Sequence, residues 1–199
     1  MRRSTKAAFG CLVGGALILA GTQAAGGALS GILKMHGDSG DFLTSAAQPL
    51  DAAKAKITIT EGTGSTTFAI RVTGIDPTIA GETLGSHLHI GPCVEGDAGP
   101  PIAGVQAGPH YNHDVALGNT PIRISPETEV WFALVPDEEG MAYDSTTVPF
   151  VPIDADPAYV PGVMSVVVHV LPTNPLTGAA GARQACFPVE VPQWASAPE

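Results

Sequence analysis

Positive charge is scarce in this chain. Across 199 residues, 9 Lys and Arg stand against 19 Asp and Glu, a formal net charge of −10. Arg2, Arg3 and Lys6 fall within the first 25 residues, which hold no acid, so the remainder carries −13. Such a surface excludes nucleic acid and anionic lipid headgroups as general partners and repels anionic substrates at long range, so an enzyme acting on an anion needs a local cation. No internal repeat is present and no segment has convincing amphipathic helical periodicity, which excludes a solenoid or a helical bundle. Cysteine is limited to Cys11, Cys93 and Cys186. No Glu accompanies the histidine motifs as a hydrolytic base, and Glu95 and Asp97, near His89 in sequence, read as solvated loop charges; both facts argue against a zinc hydrolase.

The N-terminus has the three parts of a secretory signal: a basic head, an uncharged run from Ala7 to Gly21, and small residues ending at Ala24-Ala25. Residues 1–25 are therefore expected to be an export signal, with an uncleaved anchor as the alternative; membrane association is expected only in that second case. Removing the signal removes Cys11 and leaves Cys93 and Cys186, an even pair in a chain bound for an oxidising compartment, extracellular, periplasmic or attached to the cell envelope.

Residues 26–53, rich in Gly, Ala and Ser, read as a flexible tether. From Lys54 onward short β-branched runs alternate with Gly, Pro and Asp. Lys56–Thr60 and Thr67–Val72 flank the Gly62-Thr63-Gly64 turn as a hairpin, and further strands are expected over 86–90, 121–124, 129–135, 146–151, 164–170 and 185–191. The expected fold is all-β, a Greek-key barrel or sandwich over residues 54–191, with 192–199 a short tail.

Chemistry is concentrated in histidine. His87-Leu88-His89 places two imidazoles on one face of a strand with Leu88 on the other. His110 lies in Ala107-Gly108-Pro109-His110-Tyr111-Asn112, and His169 ends the apolar run from Ser165. Imidazole-rich sites suit copper and zinc, and neutral His is the ligating form.

These pieces, with Gly85-Ser86 before the His pair, Gly91 and Cys93 after it, and Gly181-Ala182-Arg183-Gln184-Ala185-Cys186, occur in an order that resembles the copper/zinc superoxide dismutases. The resemblance covers about 54–191 and implies the Greek-key barrel of that family. It also implies that His87, His89, His110 and His169 bind copper, that Arg183 is the guanidinium beside the open copper position, and that Cys93 and Cys186 form the disulfide. The activity implied is conversion of the substrate superoxide to dioxygen and hydrogen peroxide, with His110 and Arg183 as its catalytic groups. A non-enzymatic copper-binding or copper-delivery protein on the same fold is the alternative, and a structural β-domain with a remnant site a third; a guanidinium beside the copper distinguishes the first from the others.

Two departures narrow the resemblance. In the family the residue matching His110 bridges copper to zinc, and two more His and an Asp in the following loop hold that zinc. Here only His113 and Asp114 follow, expected near the site but not as a zinc set, and the remaining His36 precedes the barrel. Thr173 stands where the family carries an Asp that supports the ligands. The chain thus resembles the copper-only branch, with copper expected and zinc not.

Overall fold

Strict alternation builds the central hairpin. In β3 (Lys54–Gly62) Ala55, Ile57 and Ile59 are buried while Lys54, Lys56 and Thr60 face water, and in β4 (Ser65–Thr73) Phe68, Ile70 and Val72 point the same way inward. The computed structural model describes residues 32–37, 41–42, 49–94, 105–152 and 164–189. Its other strands are β1 (Ile32–Gly37), β2 (Asp41–Phe42), β5 (Leu84–His89), β6 (Trp131–Leu134), β7 (Ala142–Val148), β8 (Met164–His169) and β9 (Arg183–Val189). One helical turn, α1 (His113–Ala116), is capped by the Asn112 side chain, which accepts from the N–H groups of Asp114 and Val115.

Two antiparallel sheets result, ordered β1-β3-β4-β7 and β2-β9-β8-β5-β6. Strand β8 returns to lie beside β5, and β5 pairs with β6. The edges of β6 and β7 are linked where the Ala133 N–H donates to Asp144 Oδ2 at 2.7 Å. The spatial order 8-5-6-7 is that of a Greek key, as expected. Between the sheets Ile57, Ile59, Phe68 and Ile70 meet Leu88, Phe132, Val166, Val168 and Phe187 in one apolar core.

Three expectations need correction or placement. Within 26–53, β1 pairs with β3 from Ile32↔Thr60 to Gly37↔Ala55, β2 pairs with β9, and Leu50 and Ala53 are fully buried, so the barrel starts well before Lys54. The partner strands supply the ladder that the Gly- and Ser-rich flanks obscured. Residues 121–124 form no strand: Pro121 lacks a donor, the Arg123 N–H is taken by Asp114, and the Arg123 carbonyl accepts from Asn112 and Thr128. Residues 1–25, Glu95, Asp97 and the tail from 192 lie outside the described residues.

The outer face of the second sheet is covered by chain rather than water. Segment 105–112 is tied along the end of β5 by bonds from Ile90 N–H to Pro109 O, Gly91 N–H to Ala107 O and Tyr111 N–H to Leu88 O. A disulfide joins Cys93, in the loop after β5, to Cys186 on β9, with Cα atoms 5.6 Å apart. Cys186, Val167 and Ala107 pack there as a small second cluster, with Cys93 against it. A disulfide typically stabilises by about 2 to 4 kcal/mol, chiefly through the unfolded chain. Substituting Cys93→Ser with Cys186→Ser should lower the unfolding free energy by about that amount, read as a lower urea midpoint, with no further loss on adding reductant.

Candidate metal centre

Every residue of β5 is buried, for two different reasons. Leu88 enters the core between the sheets, while His87 and His89 point outward beneath the covering loops. In the register of β5 with β8, His87 faces Val167 and His89 faces Ser165, so Ser165, Val167 and the strand end at His169 share the imidazole face. Between Val168 and His169 the register with β9 shifts past Gln184, so that His169 aligns with Arg183. An isolated bridge between His89 and His110 brings in the fourth ring.

The four imidazoles form one cluster whose candidate ligand atoms all lie within 4.8 Å of one another. Ring centroids are 4.0 Å apart for His87 and His110, 4.8 Å for His89 and His110, and 4.9 Å for His87 and His169. Each ring has one nitrogen held by the protein. His89 Nδ1–H donates to Gly108 O at 2.9 Å, His169 Nδ1–H to Gly181 O at 3.0 Å, and His110 Nδ1–H to Glu129 Oε2 at 2.8 Å. His87 Nε2 bonds the Thr173 hydroxyl at 2.8 Å. The opposite nitrogens of three rings, His87 Nδ1, His89 Nε2 and His169 Nε2, are buried and have no hydrogen-bond partner. A carbonyl or carboxylate acceptor fixes the proton on the nitrogen that faces it, leaving the lone pair on the other.

The donor set fits a metal. Three orphaned buried nitrogens and His110 Nε2 are offered within one small volume, and a buried polar atom without a partner costs roughly 1 to 3 kcal/mol unless something binds it. Burial, and the neighbouring His110, His169 and Arg183 charges, keep His87 far below the ordinary imidazole range. His89 is depressed by burial and by His110 and Arg183, against the opposing bond to Gly108. Burial likewise takes His169 down to about 4. These three rings are therefore held neutral, as ligation requires.

Two glycines make the arrangement possible. Gly108 adopts φ +71°, and its carbonyl accepts from both His89 and the Arg183 guanidinium, the latter at 2.7 Å, so one peptide oxygen ties the cation to a ring of the cluster. At Gly85 a Cβ would fall 2.6 Å from Thr173 Oγ1 and 2.8 Å from Leu171 O, displacing the hydroxyl that holds His87. Thr173 supplies no carboxylate, but it does supply a hydrogen-bonding partner for that ring.

Arg183, half-buried at the start of β9, shares a cavity of about 420 Å³ with His110, Asn112, Glu129, Ile122 and Ile124. His113 and Asp114 are not part of the cluster's hydrogen bonding. His113 bonds the Tyr111 hydroxyl at 3.1 Å and stacks on Phe150 at 4.3 Å; Asp114 is clamped by Arg123 at 2.7 Å and Asn119 at 2.9 Å. Sequence reasoning missed Glu129, Trp131 and Asn112. Burial works against the Glu129 carboxylate, but His110, Asn112 Nδ2 at 2.9 Å and Trp131 Nε1 at 2.7 Å hold its pKa below the usual value, so it stays ionised.

No family model matches the chain, and no curated protein matches it. Among solved structures the chain is similar to a Cu/Zn superoxide dismutase from Brucella abortus, at 20% identity, over 78% of this chain and 96% of that one, with a TM-score of 0.48. At that distance the likeness decides neither metal nor chemistry, which rest on the four rings and their surroundings.

Thr173→Val should leave the His87 Nε2 side without its partner and lower metal affinity about 10- to 100-fold in a chelator competition. In the metal-free protein His169 favours its neutral form, so the unfolded chain binds more protons between pH 6.5 and about 4. The folded state is at full strength above pH 6.5 and loses roughly 3 kcal/mol from this residue as pH falls to about 4. Thermal melts across that range check the sign.

Proposed function

We propose that this protein is an exported, copper-dependent superoxide dismutase that converts superoxide to dioxygen and hydrogen peroxide, using copper without zinc. The observation that carries the reading is the convergence of three partnerless buried ring nitrogens with His110, each ring oriented by a fixed contact on its other side. Copper held there by His87, His89, His110 and His169 would supply one-electron redox chemistry, taking an electron from one superoxide and giving it to the next.

The remaining work falls to side chains. Arg183 gives a strongly acidic protein a cation beside the cluster, held by the Gly108 carbonyl, and its role is to attract and orient the anion. The reaction consumes two protons per pair of superoxide anions. His110 is suited to deliver one from Nε2, because its Nδ1–H is anchored on Glu129 at 2.8 Å and the ring's other nitrogen is the one turned to the cluster. The same contact supports the reading without zinc: the nitrogen of His110 turned away from the cluster faces a buried carboxylate that accepts three hydrogen bonds. Export is supported by the Cys93–Cys186 disulfide, which persists in oxidising compartments.

Purified protein loaded with copper, with zinc, or with both should bind one equivalent of copper, and superoxide removal should need copper alone. Arg183→Ala should keep the copper and lose about 10-fold or more in rate. If the wild type binds copper yet removes superoxide no faster than Arg183→Ala, copper binding or delivery without catalysis becomes the function.

A further inference from the structure

The first sheet turns a face to solvent whose charge is opposite to that of the chain. Its outward positions on β3, β4 and β7 are Lys54, Lys56, Thr58 and Thr60, then Thr67, Ala69, Arg71 and Thr73, then Tyr143, Ser145 and Thr147. Not one is acidic, in a chain with 19 Asp and Glu. Of the six cations beyond residue 25, Lys34, Lys54, Lys56 and Arg71 lie on the adjacent strands β1, β3 and β4. The other two are committed elsewhere, Arg123 to Asp114 and Arg183 to the histidine cluster.

Register concentrates these groups further. Lys56 pairs directly with Arg71, and Arg71 with Tyr143, while β1 places His36 opposite Lys56. The row crosses the sheet at strand spacings of about 4.8 Å. Among the described residues, the contacts of carboxylates with basic side chains, His110–Glu129 and Arg123–Asp114, do not draw on it. Arg71 Nη2 contacts the Met141 sulfur at 3.3 Å, a weak acceptor that leaves most of the guanidinium donors for another partner. Tyr143 is 66% exposed, an unusual state for an aromatic ring. Lys56, Thr58, Ala69, Arg71 and Tyr143 line a shallow cavity of about 250 Å³.

We propose that this face binds an acidic polysaccharide, a chain of sugars bearing carboxylates. Lys56 and Arg71 take the carboxylates, Tyr143 stacks on a sugar ring, and the Thr and Ser hydroxyls bond sugar hydroxyls. The cavity is smaller than the roughly 300 to 1,000 Å³ of an enclosing ligand pocket, which favours contact along an extended polymer over capture of a small molecule. A lipid surface fits less well, because no large aliphatic side chain stands at these outward positions to enter it. The acids elsewhere on the protein do not veto the contact, since charges beyond about 8 Å are largely screened at physiological salt.

The test uses the full chain and immobilised polygalacturonate, with neutral dextran, duplex DNA and phosphatidylglycerol vesicles in parallel. The wild type should be retained on polygalacturonate at 50 mM salt and released as salt rises. The double variant Lys56→Glu, Arg71→Glu should bind at least about 10-fold more weakly with a shallower salt dependence, as expected when ionic contacts are removed. Tyr143→Ala should weaken binding by about 3- to 10-fold, the scale of one aromatic contact. All substitutions lie on an exposed face, so circular dichroism and copper content should not change. Absence of retention, equal retention on dextran, or unchanged affinity in the double variant overturns the proposal. Tighter binding to DNA or to vesicles also overturns it and assigns the face to that partner. The metal-site reading is independent of every one of these outcomes.

Discussion

Imidazoles packed against one another need a fixed orientation, and this structure supplies it by giving each ring one acceptor or hydroxyl on its far side. Gly108, Gly181, Glu129 and Thr173 occupy those positions, and the near sides are left as lone pairs facing a common space. Without these contacts the rings would be free to rotate, swap tautomers and bond one another. The shared direction of the lone pairs and the fixed placement of Arg183 both follow from that constraint, because the Gly108 oxygen serves a ring and the guanidinium together, while burial lowers the proton affinity of His169 against the Gly181 contact.

The constraint depends in turn on covering chain. All four partners sit outside the named strands: Gly108 before His110, Glu129 before β6, and Thr173 and Gly181 in the connection from β8 to β9. The loop around Gly108 is stitched to β5 by backbone hydrogen bonds, and the Cys93–Cys186 disulfide fastens the neighbouring loop to the strand that begins with Arg183. A stable sandwich thus carries a site whose precision comes from segments that would otherwise be its least ordered parts.

Much of this could be read in the residues. Alternation in β3 and β4 and the His-x-His spacing are local signals tied to strand geometry, so the hairpin and the shared face of His87 and His89 were visible directly. His110 and His169 were legible only as members of an ordered set of motifs, because nothing local distinguishes a ligand from a hydrogen-bonded core histidine. Glu129 was not legible: its importance comes from facing His110 across 19 residues of sequence, a consequence of the isolated Asn112↔Glu129 bridge. Strand β1 was missed for a related reason. Its partner strand, rather than any pattern of its own, makes it a strand, whereas the 121–124 run had the β-rich pattern but no free backbone groups to pair.

That N-terminal strand gives the fold a mechanical character. β1 and β2 follow one another in the chain, yet one lies at the edge of the first sheet and the other at the edge of the second, so this short stretch acts as a clasp between the two layers. A pulling force transmitted from residues before Ile32 reaches the clasp first, at an edge ladder of six paired residues. In the second sheet β9 and β8 stand between β2 and the His87–His89 strand. The clasp therefore borders β9, the strand of Arg183 and Cys186, and stands one strand away from His169 on β8 and two from His87 and His89.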